Sequence, residues 1–245
     1  MPADHEVGAH AWWDSRTILA SLPLVLTHPG WVATYFHEGR AGVLKRIVRD
    51  SLREVRRRPP PKSLEALVAI NTATPLGRIG APQELLYHVV RVLRPEVVVE
   101  TGVYWGLSSS FILAALQDNE RGRLYSIDLP GGTQEPLRSN EMTGFAVPAE
   151  LRSRWTLQLG SVRDLLPPLL QQLPRIDLYY HDADHRYEEM TWEMERFLGA
   201  SGTGSVLIAD DIDANSAFQD FLTRNRDSVR PVGILVKRLG VLKKS

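Results

Sequence analysis

The chain has 245 residues, of which 43% are hydrophobic and 24% are charged, and its formal net charge is zero. This composition is typical of a globular protein rather than of a disordered or fibrous chain, and the length suits one ordinary domain with an extension. Because the charges balance, we expect no nucleic-acid partner. The chain has no cysteine, which excludes disulfides, thiolate metal sites and cysteine nucleophiles and is typical of a reducing compartment.

The apolar runs of the sequence predict a cytoplasmic protein without stable membrane insertion. Residues 1–6 lack the basic and then apolar pattern of a secretory signal. The longest apolar candidate, residues 18–36, is interrupted by two prolines and a glycine. It therefore falls short of the roughly 18 uninterrupted apolar residues that span a bilayer.

Residues 1–80 differ from the rest of the chain and predict a helical extension. Short helices are expected over 17–26 and 31–37, separated by a His-Pro-Gly turn, and an amphipathic helix over 42–58. A further helix and a loop are expected over 63–81. The polar face of this last helix carries Lys45, Arg46, Arg49, Arg53, Arg56, Arg57 and Arg58. A basic helix serves at a membrane or partner surface, or packs on a core with its cations in solvent, which we favour. We expect the extension to be a substrate lid or a contact within a homo-oligomer.

From residue 81 to residue 245, short strands alternate with helices. This order predicts one domain of the Rossmann-like α/β class, with a doubly wound, mostly parallel sheet. The expected strands are 97–100, 123–128, 155–159, 176–180, 205–209 and 241–242, with a further apolar run at 232–236. Helices are expected over 83–93 and after the first, third, fourth and fifth strands. Residues 129–147 are rich in glycine and proline, which predicts a long binding loop or lid.

The first strand ends in a turn that is suited to a ligand. The segment Glu100-Thr101-Gly102-Val103-Tyr104-Trp105-Gly106 places an acid at the strand end and two glycines in the turn. The glycines permit positive φ and let a ligand approach the backbone, and Glu100 offers an acceptor for its hydroxyls or amine. The glycine spacing differs from the Gly-x-Gly-x-x-Gly of nicotinamide dehydrogenases, which disfavours that class.

Acidic residues recur where the predicted strands end. They are Glu100, Asp128, Asp182, Asp210 and Asp211. In an open α/β sheet the carboxyl ends of the strands lie along one edge, where ligands bind. Each aspartate alone would serve equally well as a helix cap, but their joint placement favours a binding site at this edge.

These motifs resemble those of class I S-adenosylmethionine-dependent methyltransferases, whose sheet has seven strands. The turn after the first strand is similar to that family's first motif. Asp128 stands where the family's second acid binds the ribose, and residues 160–164 resemble the segment that lines the adenine. The resemblance implies S-adenosylmethionine as the cofactor, bound by Glu100, Gly102, Tyr104, Gly106, Ser108, Asp128, Ser161, Val162, Arg163 and Asp182. Tyr104 and Trp105 either line the cofactor or fill the turn.

Residues 179–187 and 209–211 are similar to the cation-dependent O-methyltransferases of the catechol and caffeoyl-CoA type, and to relatives that act on sugars of natural products. The resemblance implies that Asp182, Asp210 and Asp211 hold a divalent cation, with Asp184 as the alternative to Asp182. Adjacent strands lie about 4.8 Å apart, so carboxylates at two neighbouring strand ends can share one ion. Oxygen ligands suit Mg²⁺ or another hard divalent cation. His181 is expected to pack rather than to bind the ion.

His185 is the candidate catalytic base, because an unperturbed imidazole titrates near pH ~6.5. The alternative is that it only orients an acid. Catechol-type enzymes carry a lysine here and the sugar-acting relatives a histidine, so the resemblance favours an alcohol as methyl acceptor.

The sequence thus predicts a cation-dependent O-methyltransferase acting on a hydroxyl of a small molecule, which is a sugar, a polyketide or a phenol. Two alternatives stay open. One is a methyltransferase-fold protein with another metal-assisted reaction, and the other is a catalytically silent cofactor-binding domain.

Overall fold

The computed structural model describes residues 29–59, 61–73, 82–130, 143–235 and 238–245. The chain divides into two compact units, Met1–Ile47 and Val48–Ser245. The helix predicted over 17–26 and most of the long loop lie outside the described residues. The predicted domain division at residue 80 stays a prediction.

The helices follow the predicted order, with one difference in the extension. They are α1 (Pro29–Val55), α2 (Leu64–Ala73), α3 (Pro82–Leu93), α4 (Leu107–Asp118), α5 (Val162–Gln172), α6 (Tyr187–Ala200) and α7 (Ala217–Arg224), with a 3₁₀ helix at Ala149–Arg154. Helix α1 is continuous where two separate helices were expected over 31–37 and 42–58. Interior glycines such as Gly39 and Gly42 each cost only about 1 kcal/mol in a helix, and Pro29 stands in the first turn, where its missing N–H is harmless.

Seven strands form one sheet, as predicted. They are β1 (Val97–Thr101), β2 (Arg123–Asp128), β3 (Trp155–Leu159), β4 (Ile176–His181), β5 (Ser201–Ala209), β6 (Val229–Leu235) and β7 (Leu239–Lys244). Their spatial order is β3-β2-β1-β4-β5-β7-β6. Strand β7 runs antiparallel to both of its neighbours, and the pairs among β1 to β5 are parallel.

The central strands are buried on both faces, which explains their nearly continuous apolar sequences. All five residues of β1 are buried, and α4 is buried from Ser108 to Leu116. No helix among the described residues is long and apolar enough to cross a membrane.

The register of the central strands determines which residues meet at the carboxyl edge. Thr101 of β1 pairs with His181 of β4, and His181 pairs with Ala209 of β5. The residues that follow these three strand ends are therefore neighbours. They are Gly102, Asp182 and Asp210.

Candidate active site

The turn after β1 depends on its two glycines. Gly102 and Gly106 have φ values of +85° and +86°, which L side chains rarely adopt. A Cβ atom on Gly102 would lie 1.8 Å from the carbonyl oxygen of Asp182. A Cβ atom on Gly106 would lie 2.9 Å from the Cα of Gly144. Both glycines are thus required by close approach of the chain to itself, while their predicted contact with a cofactor stays a prediction.

Glu100 is the centre of a buried hydroxyl cluster. Its carboxylate accepts hydrogen bonds from the hydroxyls of Ser108, Ser109 and Ser126 at 2.6, 2.7 and 2.7 Å. Burial raises the pKa of Glu100, and the three hydroxyl donors oppose that rise. The oxygens that the sequence offered to a ligand are therefore bonded within the protein, where they join β1 to α4 and β2. Contact of Glu100 and Ser108 with the cofactor stays a prediction.

Asp128, at the end of β2, is hydrogen-bonded to two loop segments, the turn after β1 and residue 143. One carboxylate oxygen accepts the backbone N–H of Val103 and the other accepts the hydroxyl of Thr143, both at 3.2 Å. Nearby, the rings of Tyr104 and Trp105 are stacked with centroids 4.5 Å apart. Hydrogen bonds to Asp128 therefore join the β1 turn, the end of β2 and residue 143 at the carboxyl edge.

The predicted adenine segment opens helix α5. The Oγ of Ser161 accepts the backbone N–H of Arg163 and caps the helix, whose first residue is Val162. The guanidinium of Arg163 donates to both carboxylate oxygens of Glu189, at 2.8 and 3.1 Å, and lies 4.4 Å from the centre of the Trp192 ring. The structure thus directs the Arg163 side chain to α6.

Asp182, His185 and Asp210 come together where β4 and β5 end. One ligand atom from each lies within 4.8 Å of the others. The backbone N–H of Asp182 donates to the Thr101 carbonyl, and that of Asp210 donates to the His181 carbonyl, each at 2.9 Å. These bonds continue the sheet ladder by one residue and fix both carboxylates at its edge. We call these three residues the acid–histidine cluster.

The negative charges of this cluster are not balanced by any lysine or arginine of the described residues. Burial, followed by repulsion from Asp210, raises the pKa of Asp182 well above its ordinary value. Burial also raises the pKa of Asp210. Among the described residues, no lysine or arginine nitrogen lies within 4.0 Å of either carboxylate. Two half-buried carboxylates at this distance require a cation or a proton.

His185 lies in a half-buried position beside the two acids. Its Nε2 is 3.9 Å from Oδ1 of Asp182, is buried, and has no hydrogen-bond partner among the described residues. Burial and the neighbouring His181 lower the pKa of His185, and the surrounding acids oppose this. The imidazole is therefore neutral at neutral pH, with a nitrogen facing the acids.

Two predicted acids lie outside the acid–histidine cluster. Asp211 has a φ of +50°, and its carboxylate forms an ion pair with Arg238 from the turn before β7. Asp184 is bound at 2.7 Å by the guanidinium of Arg186, which lowers the pKa of Asp184. In the structure, His185 rather than Asp211 therefore lies with Asp182 and Asp210. Asp184, the alternative to Asp182 as a ligand, is paired with Arg186 instead.

A second group of buried polar residues underlies the cluster and was not predicted. Glu193 of α6 is 2% exposed and accepts hydrogen bonds from Thr101 Oγ1 (2.5 Å), Tyr179 OH (2.8 Å) and His181 Nδ1 (3.0 Å). Burial raises the pKa of Glu193, but His181 and the hydrogen bonds outweigh it, so that the pKa is lowered. His181 is buried at the strand end, as expected.

A pattern in the sequence could have predicted that Glu193 is buried. Helix α6 buries Met190, Glu193, Met194 and Phe197. The spacing of these residues is that of one helix face, so an acid within that stripe indicates a buried acceptor.

Comparison with known proteins gives a family match for part of the chain. Residues 99–212 match the family model of a methyltransferase domain. No curated protein sequence matches the chain.

Solved structures share the fold at low sequence identity. An O-methyltransferase from Bacillus cereus in complex with SAH is 18% identical, with a TM-score of 0.52 over 76% of this chain and 92% of that one. An O-methyltransferase from Streptomyces achromogenes, involved in tomaymycin synthesis and in complex with SAM, is 16% identical, with a TM-score of 0.52 over 76% and 91%. A Podospora anserina methyltransferase bound to SAH is 14% identical, with a TM-score of 0.51 over 76% and 89%. The chain thus shares the fold of these O-methyltransferases, and its residues 99–212 match a methyltransferase domain, in agreement with the motif resemblance.

Proposed function

We propose that the protein is a divalent-cation-dependent O-methyltransferase that acts on a hydroxyl of a small molecule. The acid–histidine cluster of Asp182, His185 and Asp210 carries this proposal. It lies at the carboxyl edge of the sheet, next to the β1 turn, which is where open α/β sheets bind their ligands.

The two carboxylates fit a divalent cation. Asp182 and Asp210 are close together and half-buried, and burial and mutual repulsion raise the pKa of Asp182. A bound cation inverts this balance by favouring the ionised carboxylates. Carboxylate ligands suit Mg²⁺ or Mn²⁺. We assign Asp182 and Asp210 as the residues that hold the ion.

The edge beside the β1 turn fits the cofactor. Leu129 and Leu159 follow β2 and end β3, and they are 52% and 41% exposed. Exposed leucines at two neighbouring strand ends offer an apolar surface to a flat purine ring. Asp128, between them and the turn, places a carboxylate near the same surface.

The chemical role of each group follows from these positions. S-adenosylmethionine supplies an electrophilic methyl group on a sulfonium, and a divalent cation polarises the hydroxyl that attacks it. The carboxylates of Asp182 and Asp210 would hold this cation beside the reacting hydroxyl. Nε2 of His185 accepts the hydroxyl proton as the oxygen–methyl bond forms and the carbon–sulfur bond breaks. Holding these groups in line contributes a large part of the rate enhancement.

Transfer of a labelled methyl group from S-adenosylmethionine to a panel of sugars, polyketide alcohols and phenols tests the proposal. We expect labelled product from at least one hydroxyl compound, with loss of product after chelation and recovery on adding Mg²⁺ or Mn²⁺. Undiminished transfer in the presence of a chelator would remove the cation from the reaction. Methylation restricted to amines or thiols would contradict the assignment to hydroxyls.

Replacing His185 with alanine tests its role as base. We expect the rate to fall by about a hundredfold, which is the lower range for general-base catalysis. Because the neutral imidazole is active and its pKa is lowered, the wild-type rate should rise with pH below about 6.5, its ordinary value, and then level off. The variant should lack this rise.

The control for this experiment is Asp184→Asn, one residue away and bound to Arg186 outside the cluster. This variant should leave the dependence of the rate on pH unchanged. A cation affinity reduced in His185→Ala as much as in a variant of Asp210 would instead make His185 a ligand.

A further inference from the structure

A cavity of about 280 Å³ lies where helix α1 ends against helix α3. The described residues that line it are four arginines, one tyrosine and one proline. They are Arg56, Arg57, Arg58, Pro59, Tyr87 and Arg91. We call this the arginine cavity. None of the described residues that line it carries a carboxylate, although acids are abundant in this chain.

Carboxylates outside the lining hold two of the arginines in place. Asp118 accepts from Nε and Nη2 of Arg56 at 2.8 and 3.1 Å, and from the hydroxyl of Tyr87 at 2.8 Å. Arg58 donates one terminal nitrogen to Glu54 at 2.7 Å and the other to Glu84 at 3.2 Å. The acids thus orient the guanidinium groups without occupying the cavity. Because these guanidinium groups are already held in place, less conformational entropy is lost when a ligand binds.

Several donors of the cavity are unused. Arg57 makes no side-chain hydrogen bond or ion pair within the described part of the chain. Arg91 donates Nη1 to the Tyr87 hydroxyl at 3.2 Å, and this nitrogen lies 3.8 Å from the Asp118 carboxylate. His88, which is buried next to Tyr87 in α3, has a pKa that burial and the charges of Arg58 and Arg91 lower to about 4. The cavity therefore combines a positive field with free N–H groups.

The arginine cavity lies at the edge of the sheet opposite the acid–histidine cluster. Arg91 is near the end of α3, just before β1 begins, and Asp118 ends α4, before β2 begins. The cluster follows the other ends of the strands. A five-residue strand spans about 16 Å, so a ligand of this cavity is neither the methyl donor nor the methyl acceptor.

We propose that the arginine cavity binds a phosphate group, carried either by a small metabolite or by a lipid headgroup. Guanidinium groups present planar pairs of N–H donors that match two oxygens of a phosphate. The volume is at the lower limit of ordinary small-molecule sites, which suits a phosphate or diphosphate group rather than a large apolar ligand.

Calorimetric titration of the full chain with inorganic pyrophosphate tests the proposal. We expect saturable binding that weakens about tenfold in Arg57→Ala and in Arg91→Gln, since each removes charged hydrogen bonds. The control is Arg49→Ala on the same helix, because Arg49 is 60% exposed and does not line the cavity. Its affinity should equal that of the wild type. Arg57 has no side-chain bond within the described chain, so its removal should leave folding intact.

Co-sedimentation with vesicles separates the two sources of phosphate. Pyrophosphate binding without vesicle binding identifies a soluble metabolite. Retention on phosphatidic acid vesicles but not on phosphatidylcholine vesicles, lost in Arg57→Ala, identifies a lipid headgroup. The proposal is overturned if the protein binds neither probe, or if Arg49→Ala weakens binding as much as Arg57→Ala.

Discussion

Replacing Asp210 with alanine is expected to lower turnover by about a thousandfold, because a cation held by the site stabilises the reacting oxygen by several kcal/mol. The affinity for S-adenosylmethionine should stay close to that of the wild type. The reason is that Asp210 follows β5 and belongs to the acid–histidine cluster, whereas the proposed cofactor surface lies on β1, β2 and β3. Turnover with labelled cofactor and calorimetric binding of the cofactor measure the two effects separately.

The matched control is Asp213→Ala, three residues further along the same turn. Asp213 is 65% exposed and lies outside the cluster, so its removal should leave turnover unchanged. A large loss of cofactor affinity in Asp210→Ala would contradict the role assigned to it. Equal losses of turnover in both variants would show that the turn, rather than the carboxylate, is needed.

Replacing Glu193 with alanine is expected to lower the free energy of unfolding by about 3–5 kcal/mol, which is the usual cost of removing one partner of a buried charged network. Thr101, Tyr179 and His181 would lose their common acceptor while remaining buried. Urea unfolding measures the change. The control is Glu195→Ala, two residues away and 53% exposed, for which a change of less than about 0.5 kcal/mol is expected.

The stability due to Glu193 should also depend on pH in one direction. Its pKa is lower in the folded protein than the ordinary value of 4.5. Its charge therefore stabilises the fold above about pH 4.5, and this contribution is lost as the pH falls through the lower folded value. The difference in unfolding free energy between the wild type and Glu193→Gln should shrink below pH ~4.5. A difference that stays constant down to pH ~3 would contradict the ionised state assigned to Glu193.

The parts of the fold that could be predicted rest on local patterns. β2 and β3 occupy the predicted residues, because short runs that alternate apolar and polar residues are bounded by clear turn signals. β7 extends over Leu239–Lys244, beyond the predicted 241–242, because it is paired on both sides by β5 and β6. This pairing is a tertiary effect that the composition of the strand does not reveal.

In the site, too, some residues could be predicted from local patterns and others depend on tertiary contacts. Asp182, His185 and Asp210 could be singled out because parallel strands end at one edge, and the structure brings them together. The position of Asp211 could not be predicted, since it depends on a positive φ and on Arg238, which is distant in sequence. The link between His181 and Glu193 likewise depends on how α6 packs on β4.

Calorimetric titration of divalent cation into wild-type protein saturated with S-adenosylmethionine, and into the Asp210→Ala variant, tests the central claim most directly. We expect both proteins to bind S-adenosylmethionine, and the wild type alone to bind Mg²⁺ or Mn²⁺ at a single site. Cation binding that is identical in the two proteins, or no binding of S-adenosylmethionine by either, would contradict the account.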